Sequence, residues 1–283
     1  MILNYENLKN EYISLFENKE KCDFILTDVL FAFNEIYSII EDEKVNSILE
    51  IGSGTSILLN EISKRFPQKF FFGLDPHESG FSSYEQISKK ISTKKNLSLF
   101  HESFKEFNPK STFDFIFSFN AFEHVQNQNE YIKKTDNLLS SNGKNLILCP
   151  NYDFPYEPHF IIPIIYNKEI TFKLFKKKII SYEEKTGELG LWNGLNFCSK
   201  KRLEFFLNKN GYKFKFDKSI KEKFLKRIDD DQSSYFKKRQ GIIAKIAKLA
   251  KLLYLDKFIF DLLKIPFPYM KIIIEKKERE DVN

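Results

Sequence analysis

The stretch Ser47-Ile48-Leu49-Glu50-Ile51-Gly52-Ser53-Gly54-Thr55-Ser56 restricts this chain more than any other. Apolar, strand-forming residues run directly into Gly-x-Gly, and apolar residues at helical spacing follow from Ile57 to Arg65. A strand, a glycine turn and a helix start make a cradle for a nucleotide-like ligand. The glycines let the backbone turn tightly and approach the ligand. The unpaired N–H groups of the first helical turn point at it. Many α/β folds share this cradle, so its meaning depends on what surrounds it.

What surrounds it is an alternation of strands and helices. Ser47–Ile51 reads as a first strand and Ile57–Arg65 as a helix stopped before Pro67. Lys69–Asp75 reads as a second strand, Ser83–Ser92 as a helix and Leu97–Glu102 as a third strand. Phe113–Phe119 reads as a fourth strand, apolar enough to be buried on both faces. Asn129–Leu139 follows as a helix closed by Asn142-Gly143, and Lys144–Cys149 as a fifth strand. Repeated β-α units predict a parallel, doubly wound sheet with helices on both faces. Ligands in such sheets sit at the carboxyl ends of the strands, near the switch point.

Outside this alternation, residues 1–44 carry two apolar stripes at three- and four-residue steps, one through Leu8 and Tyr12, the other through Ile25, Val29, Ile36 and Ile40. They read as N-terminal helices that cover a sheet edge; a sharper reading has them also close over the ligand site. Residues 45–275 form the main domain. Within it, residues 151–200 place Pro155, Pro158 and Pro163 among aromatics and read as structured loops. A helix at Ser199–Asn210 is capped by Gly211, and Tyr212–Asp217 and Tyr269–Glu275 read as strands. Between those strands, residues 219–263 read as a Lys-rich helical insertion. Residues 276–283 form a charged tail.

Composition excludes several classes. A net charge of +6, spread along the chain, does not make the concentrated basic face of a nucleic-acid binder. Cys22, Cys149 and Cys198 lie far apart without a CxxC pair, which argues against a thiolate metal site or a disulfide framework and fits a cytoplasmic protein. No secretory signal peptide and no apolar run of about 18 residues is visible, so no membrane span is expected. No metal-ligand spacing is visible either.

Two acids give the cradle its specificity. Asp75 ends the second strand, where a carboxylate accepts hydrogen bonds from both hydroxyls of a ribose. Glu50 lies inside an apolar strand just before the glycines. A buried carboxylate there is costly unless it meets a polar ligand. It would repel a dinucleotide pyrophosphate and attract a cationic amine. S-adenosylmethionine, whose amino-acid end carries an ammonium beside a sulfonium, satisfies that requirement.

Ile48-Leu49-Glu50-Ile51-Gly52-Ser53-Gly54-Thr55-Ser56 resembles the first motif of the class I S-adenosylmethionine-dependent methyltransferases, with Ser56 where the family usually has a third glycine. Gly73-Leu74-Asp75 resembles their ribose-binding strand end. Phe113–Ser118 followed by Phe122-Glu123-His124-Val125 is similar to the strand-four signature of the small-molecule branch, and Asn142–Leu148 to the start of strand five. The resemblance spans about residues 45–151. It implies a Rossmann-like sheet of about seven strands, mostly parallel with an antiparallel last strand. It further implies that Glu50 and the backbone of Gly52, Ser53 and Gly54 hold the methionine end of the cofactor, and that Asp75 holds the ribose. Glu102, with Ser103 beside it, falls where the family reads the adenine, and Asn120 where the methionine and sulfonium lie.

Methyl transfer asks for alignment of an acceptor with the S–CH3 bond, and a hydroxyl acceptor is helped by a general base. His124 and His159 are the candidates: His124 beside the expected cofactor, His159 in the segment where this fold builds its acceptor pocket. The expected acceptor is a small or sugar-like molecule, lipid-linked in one version. In Ile242–Leu253 lysines recur among apolar residues, a pattern suited either to packing on the domain or, through 241–263, to peripheral contact with an anionic membrane. Rival readings are an RNA methyltransferase, a Rossmann-type oxidoreductase and a non-catalytic, membrane-associated cofactor-binding protein.

Overall fold

The computed structural model describes residues 3–78, 80–91, 94–231, 233–241, 245, 249 and 266–277. The 241–263 membrane-contact segment and the charged tail therefore lie almost wholly outside the described residues.

The expected alternation forms a mixed sheet. Strands β1 (Ser47–Ile51), β2 (Phe70–Leu74), β3 (Leu97–Phe100), β4 (Phe113–Phe119), β5 (Leu139–Pro150), β8 (Phe214–Phe216) and β9 (Tyr269–Glu275) lie in the order β3-β2-β1-β4-β5-β9-β8. The first five pair in parallel, and β9 runs antiparallel between β5 and β8. The order reverses between β1 and β4, so the cleft beyond their carboxyl ends is the switch point. Ile48, Leu49, Phe115, Ile116 and Phe117 are buried on both faces of these central strands, as a parallel sheet requires.

Helices α3 (Ile57–Arg65), α4 (Ser82–Lys90), α5 (Gln128–Leu138) and α8 (Lys200–Lys209) cover the sheet. At the N-terminus, α1 (Tyr5–Tyr12) and α2 (Lys19–Ile40) are capped by Asn4 and Asn18, whose side chains accept backbone N–H groups of the first turn. Tyr12 reaches Glu61 of α3 at 2.6 Å and so fastens α1 to the domain. Lys69 closes the carboxyl end of α2, donating to the Ile40, Asp42 and Val45 carbonyls at 2.6 to 2.7 Å. Lys271 of β9, itself buried, pairs with the buried Glu35 of α2 at 2.7 Å. The N-terminal helices are thereby tied to the last strand.

Two elements differ from the sequence reading. Strand β5 extends back through Asn142-Gly143 to Leu139. Helix α5 ends because Leu139 turns extended, with its N–H still bonded to the Asp136 and Thr135 carbonyls, so Asn-Gly is not the stop. The 151–200 region holds, besides the short hairpin β6 (Tyr156–Glu157) and β7 (Ile162–Pro163), a full helix α6 (Lys168–Thr186) and a turn of helix α7 (Leu191–Gly194). Of the insertion, α9 (Ile220–Asp230) and α10 (Ser234–Arg239) are described.

Candidate active site

Gly52 and Gly54 take φ values of +81° and +50°, the left-handed region that a side chain disfavours. At Gly52 there is also no room: a Cβ would lie 2.3 Å from the Ala121 Cβ of the strand-four loop. The turn is held by the second strand. The Gly52 and Ser53 N–H groups both donate to the Leu74 carbonyl, at 2.8 and 3.2 Å. Asp75 completes the lock. Its Oδ2 accepts the Gly54 N–H at 2.8 Å and its Oδ1 the His77 N–H at 2.7 Å. An ionised carboxylate offers about four acceptor sites, so two remain for a ligand. Asp75 lines the cavity above the strand ends.

Ser56, standing where a third glycine was expected, adopts φ +60° itself. Its fully buried hydroxyl meets Ser88 Oγ at 2.8 Å, an anchor into α4 that glycine would lack.

Glu50 lines the cavity, 4% exposed, and its Oε2 has no hydrogen-bond partner among the described residues. Burial, and secondly the Asp75 charge, push its carboxyl well above the ordinary glutamate range. A cationic ammonium is the group that would reverse both effects. The orphaned Glu50 oxygen and the tight, left-handed Gly52 turn fit S-adenosylmethionine.

The cavity is about 2380 Å³, well beyond the roughly 300–1,000 Å³ of a typical small-ligand site, so it has room for a cofactor and a sizeable acceptor. Ser53, Ser103 and Asn120 line it as expected. Glu102 does not: β3 ends at Phe100, and the wall at that turn is made by Ser103, Phe104 and Lys105. Asn120 has φ +50° and is held on both sides. Its Nδ2 donates to Asp28 of α2 at 3.4 Å and its Oδ1 accepts from the Tyr269 hydroxyl of β9. Asp28 in turn holds Arg227 of α9, which also binds Asp231 at 2.8 Å and lies 3.9 Å from the Phe236 ring centroid. Of the two N-terminal helices, α2 borders the site: Phe24, Asp28 and Ala32 line the cavity.

The four histidines form two pairs. His124, on the 3-10 turn Phe122–His124 after β4, faces His159 with ring centroids 5.8 Å apart. Glu157 of β6 accepts from His159 Nδ1 at 2.6 Å, from the Phe160 N–H at 2.8 Å and from the Tyr152 hydroxyl at 3.2 Å. With Nδ1 as the donor, the neutral imidazole turns a basic Nε2 outward. Sequence reasoning saw Glu157 only as a neighbour of His159 and gave it no role; its place two residues before His159 is the signal. No metal cluster is visible in the sequence, yet the fold brings Glu123, His124 and His159 together, with one donor atom of each within 4.8 Å of the others. The second pair, His77 and His101, was not foreseen. His77 Nε2 donates to the Gly54 carbonyl at 2.9 Å, and the two Nδ1 atoms are 3.3 Å apart.

A family model described as a methyltransferase domain matches residues 49–144, the segment that carries the glycine turn, Asp75 and the Glu123-His124 loop. Over those residues the chain is a methyltransferase domain. The oxidoreductase alternative and the non-catalytic one fall with that assignment. An uncharacterized protein of Mycobacterium tuberculosis is 25% identical over 209 residues, 73% of this chain and 71% of the relative. A malonyl-[acyl-carrier protein] O-methyltransferase of Ilyobacter polytropus is 32% identical over 105 residues, 37% of this chain and 39% of the relative. Among solved structures, phosphoethanolamine N-methyltransferase 2 of Haemonchus contortus, in complex with phosphomonomethylethanolamine and S-adenosylhomocysteine, is 11% identical. Its TM-score is 0.55, over 98% of this chain and 61% of that one. Among the described residues no helix is long and apolar enough to cross a membrane.

Proposed function

We propose that this methyltransferase methylates a hydroxyl of a small-molecule or sugar-like acceptor bound between the cofactor cradle and the Glu157–His159 pair. The 2.6 Å bond from His159 Nδ1 to the buried Glu157 carries this reading. A carboxylate behind an imidazole fixes its tautomer and stabilises the imidazolium that forms when Nε2 takes a proton. An amine acceptor that is already neutral has no such proton to lose before attack. A hydroxyl does.

In this reading the sulfonium of bound S-adenosylmethionine supplies an activated methyl group. Glu50 holds the ammonium, and Gly52, Ser53 and Gly54 present backbone to the methionine end. Asp75 holds the ribose, Ser103 lies at the adenine side, and Asn120 shapes the wall beside the sulfonium. His159, or His124 facing it, stands at the oxygen whose proton leaves. The name of the Ilyobacter relative specifies O-methylation, which agrees with an oxygen acceptor. The cavity volume favours an acceptor larger than a simple amine.

The experiment is transfer of labelled methyl from S-adenosylmethionine across matched panels of hydroxyl and amine acceptors, including free and lipid-linked sugars. Label is expected in an alkali-stable O-methyl product. Incorporation into amines alone would overturn the hydroxyl assignment.

A further inference from the structure

We propose that Glu123, His124 and His159 bind one divalent transition-metal ion, of the Zn2+ or Mn2+ class, at the acceptor end of the cavity. This deepens the hydroxyl-acceptor reading and rests on it for the role of the ion, though not for its binding.

Two imidazoles and a carboxylate are the mixed nitrogen and oxygen set that suits such ions. Three protein ligands leave coordination positions open, as in catalytic rather than structural sites. The donor atoms lie within 4.8 Å of one another. Bonds of about 2.1 Å in a tetrahedral arrangement would bring them to roughly 3.4 Å, so closure on an ion asks each side chain to move by about an ångström. All three residues line the cavity, so the open positions face the acceptor.

The surroundings are those of a prepared metal site. His159 gives Nδ1 to Glu157 at 2.6 Å, the carboxylate–histidine arrangement that orients a metal-bound imidazole and raises its basicity. The nitrogen left for an ion is Nε2. The turn carrying the other two ligands is clamped. The Asn196 N–H donates to the Glu123 carbonyl at 2.8 Å, and its Nδ2 to the Phe122 and Val125 carbonyls, both at 2.7 Å. Phe81 packs edge-on against His124 with centroids 5.0 Å apart. Glu123 is fully buried, and a carboxylate withdrawn from water gains most from a cation placed beside it.

Coordination lowers the pKa of a bound hydroxyl. The acceptor's proton then leaves to water and its oxygen is presented to the methyl group as the nucleophile, with His159 serving as ligand in the loaded enzyme and as base in the metal-free one.

The test uses the full chain, stripped with a chelator and then titrated with Zn2+ by equilibrium dialysis and with Co2+ by visible absorption. One ion per chain is expected, with a Co2+ spectrum of low-symmetry nitrogen and oxygen ligation. Glu157→Gln should weaken binding by about 10- to 100-fold. The double variant His124→Gln/His159→Gln should abolish it while keeping the thermal shift given by S-adenosylhomocysteine, which reports an intact fold. Substoichiometric binding to the wild-type chain, or binding unchanged in the double variant, overturns the proposal. So does hydroxyl methylation at full rate in the stripped enzyme, which would leave the acceptor reading standing. Stoichiometric binding through these residues without any hydroxyl methylation would sustain the site and sink the acceptor reading.

Discussion

The carboxylate of Asp75 accepts the backbone N–H of Gly54 at 2.8 Å, so the residue that ends the second strand also fixes the turn that follows the first. Loss of this side chain therefore removes a ligand contact and the lock on the cradle together. Asp75→Ala is expected to lower the melting temperature of the ligand-free protein. It should also abolish most of the shift given by S-adenosylhomocysteine, which for the wild type at about 100 Kd should be roughly 5 °C or more. Differential scanning fluorimetry with and without ligand reads both effects.

Glu50 should behave in the opposite way. Its folded-state carboxyl titrates well above the ordinary range because it is buried and faces Asp75. The native state thus holds a proton that the unfolded chain has lost, so stability falls as pH rises from the unfolded glutamate value to the folded one. Glu50→Gln removes that liability and should stabilise the ligand-free protein near neutral pH by about 1–3 kcal/mol. The same change removes the partner of the cofactor ammonium and should weaken S-adenosylmethionine binding at least tenfold. In the wild type, affinity should rise with pH through the Glu50 titration, a slope that calorimetry would find missing in the variant.

The glycine turn separates two substitutions that look alike on paper. Gly52→Ala forces a Cβ to 2.3 Å from Ala121 at a left-handed φ, and should abolish cofactor binding with a stability loss of several kcal/mol, on the order of overpacking plus strain. Ser56→Gly relieves a left-handed serine, worth about 1 kcal/mol, but loses the Ser88 hydroxyl contact, worth about the same. Its melting temperature should stay close to that of the wild type. A large change in either direction would refute the balance.

Glu157 positions His159 and is not itself expected to touch the acceptor. Glu157→Gln should therefore lower kcat by two or more orders of magnitude, by analogy with the loss of the orienting carboxylate in a triad, while the KM for S-adenosylmethionine stays unchanged. A matching rise in that KM would assign Glu157 to general folding of the pocket instead.

Removing the Lys271 ammonium leaves Glu35 buried beside a weaker partner, Lys223 at 3.0 Å and half-exposed. Lys271→Ala should cost about 3–5 kcal/mol by chemical denaturation. Lys271→Met with Glu35→Leu should recover much of it, because two apolar side chains need no counter-charge.

The parts of the site written in one local stretch were legible. The glycine turn, Asp75 and Glu50 owe their roles to neighbours in sequence or to adjacent strand ends, and the sheet follows from the run of buried apolar strands. Helix α6 was missed because its apolar residues do not form one stripe: Thr171 and Ile179 face the core while Ile170, Leu174 and Ile180 are exposed among lysines. Asn142-Gly143 carried a helix-stop signal that the pairing of β5 with β4 and β9 overrode. Glu102 was expected at the end of the third strand, but β3 stops with its apolar run at Phe100, before the polar His101-Glu102 pair, and the cavity wall there is made by Ser103, Phe104 and Lys105. The meeting of His124 with His159 belongs to the hairpin β6-β7 folding back over the switch point, a tertiary event with no local mark. His77 gave no sequence signal beyond following Asp75-Pro76.

Strand β9 lies between β5 and β8, although it is the last of the three to be synthesised. A nascent chain that has made β1 to β5 still shows the bare edge of β5, and Asn120 still awaits the Tyr269 hydroxyl. The wall of the active site is finished only when the final strand inserts. A ribosome-bound intermediate would thus lack the support of the wall that Asn120 makes, and the exposed β5 edge is the place where a chaperone, or a second unfinished chain, would pair with it.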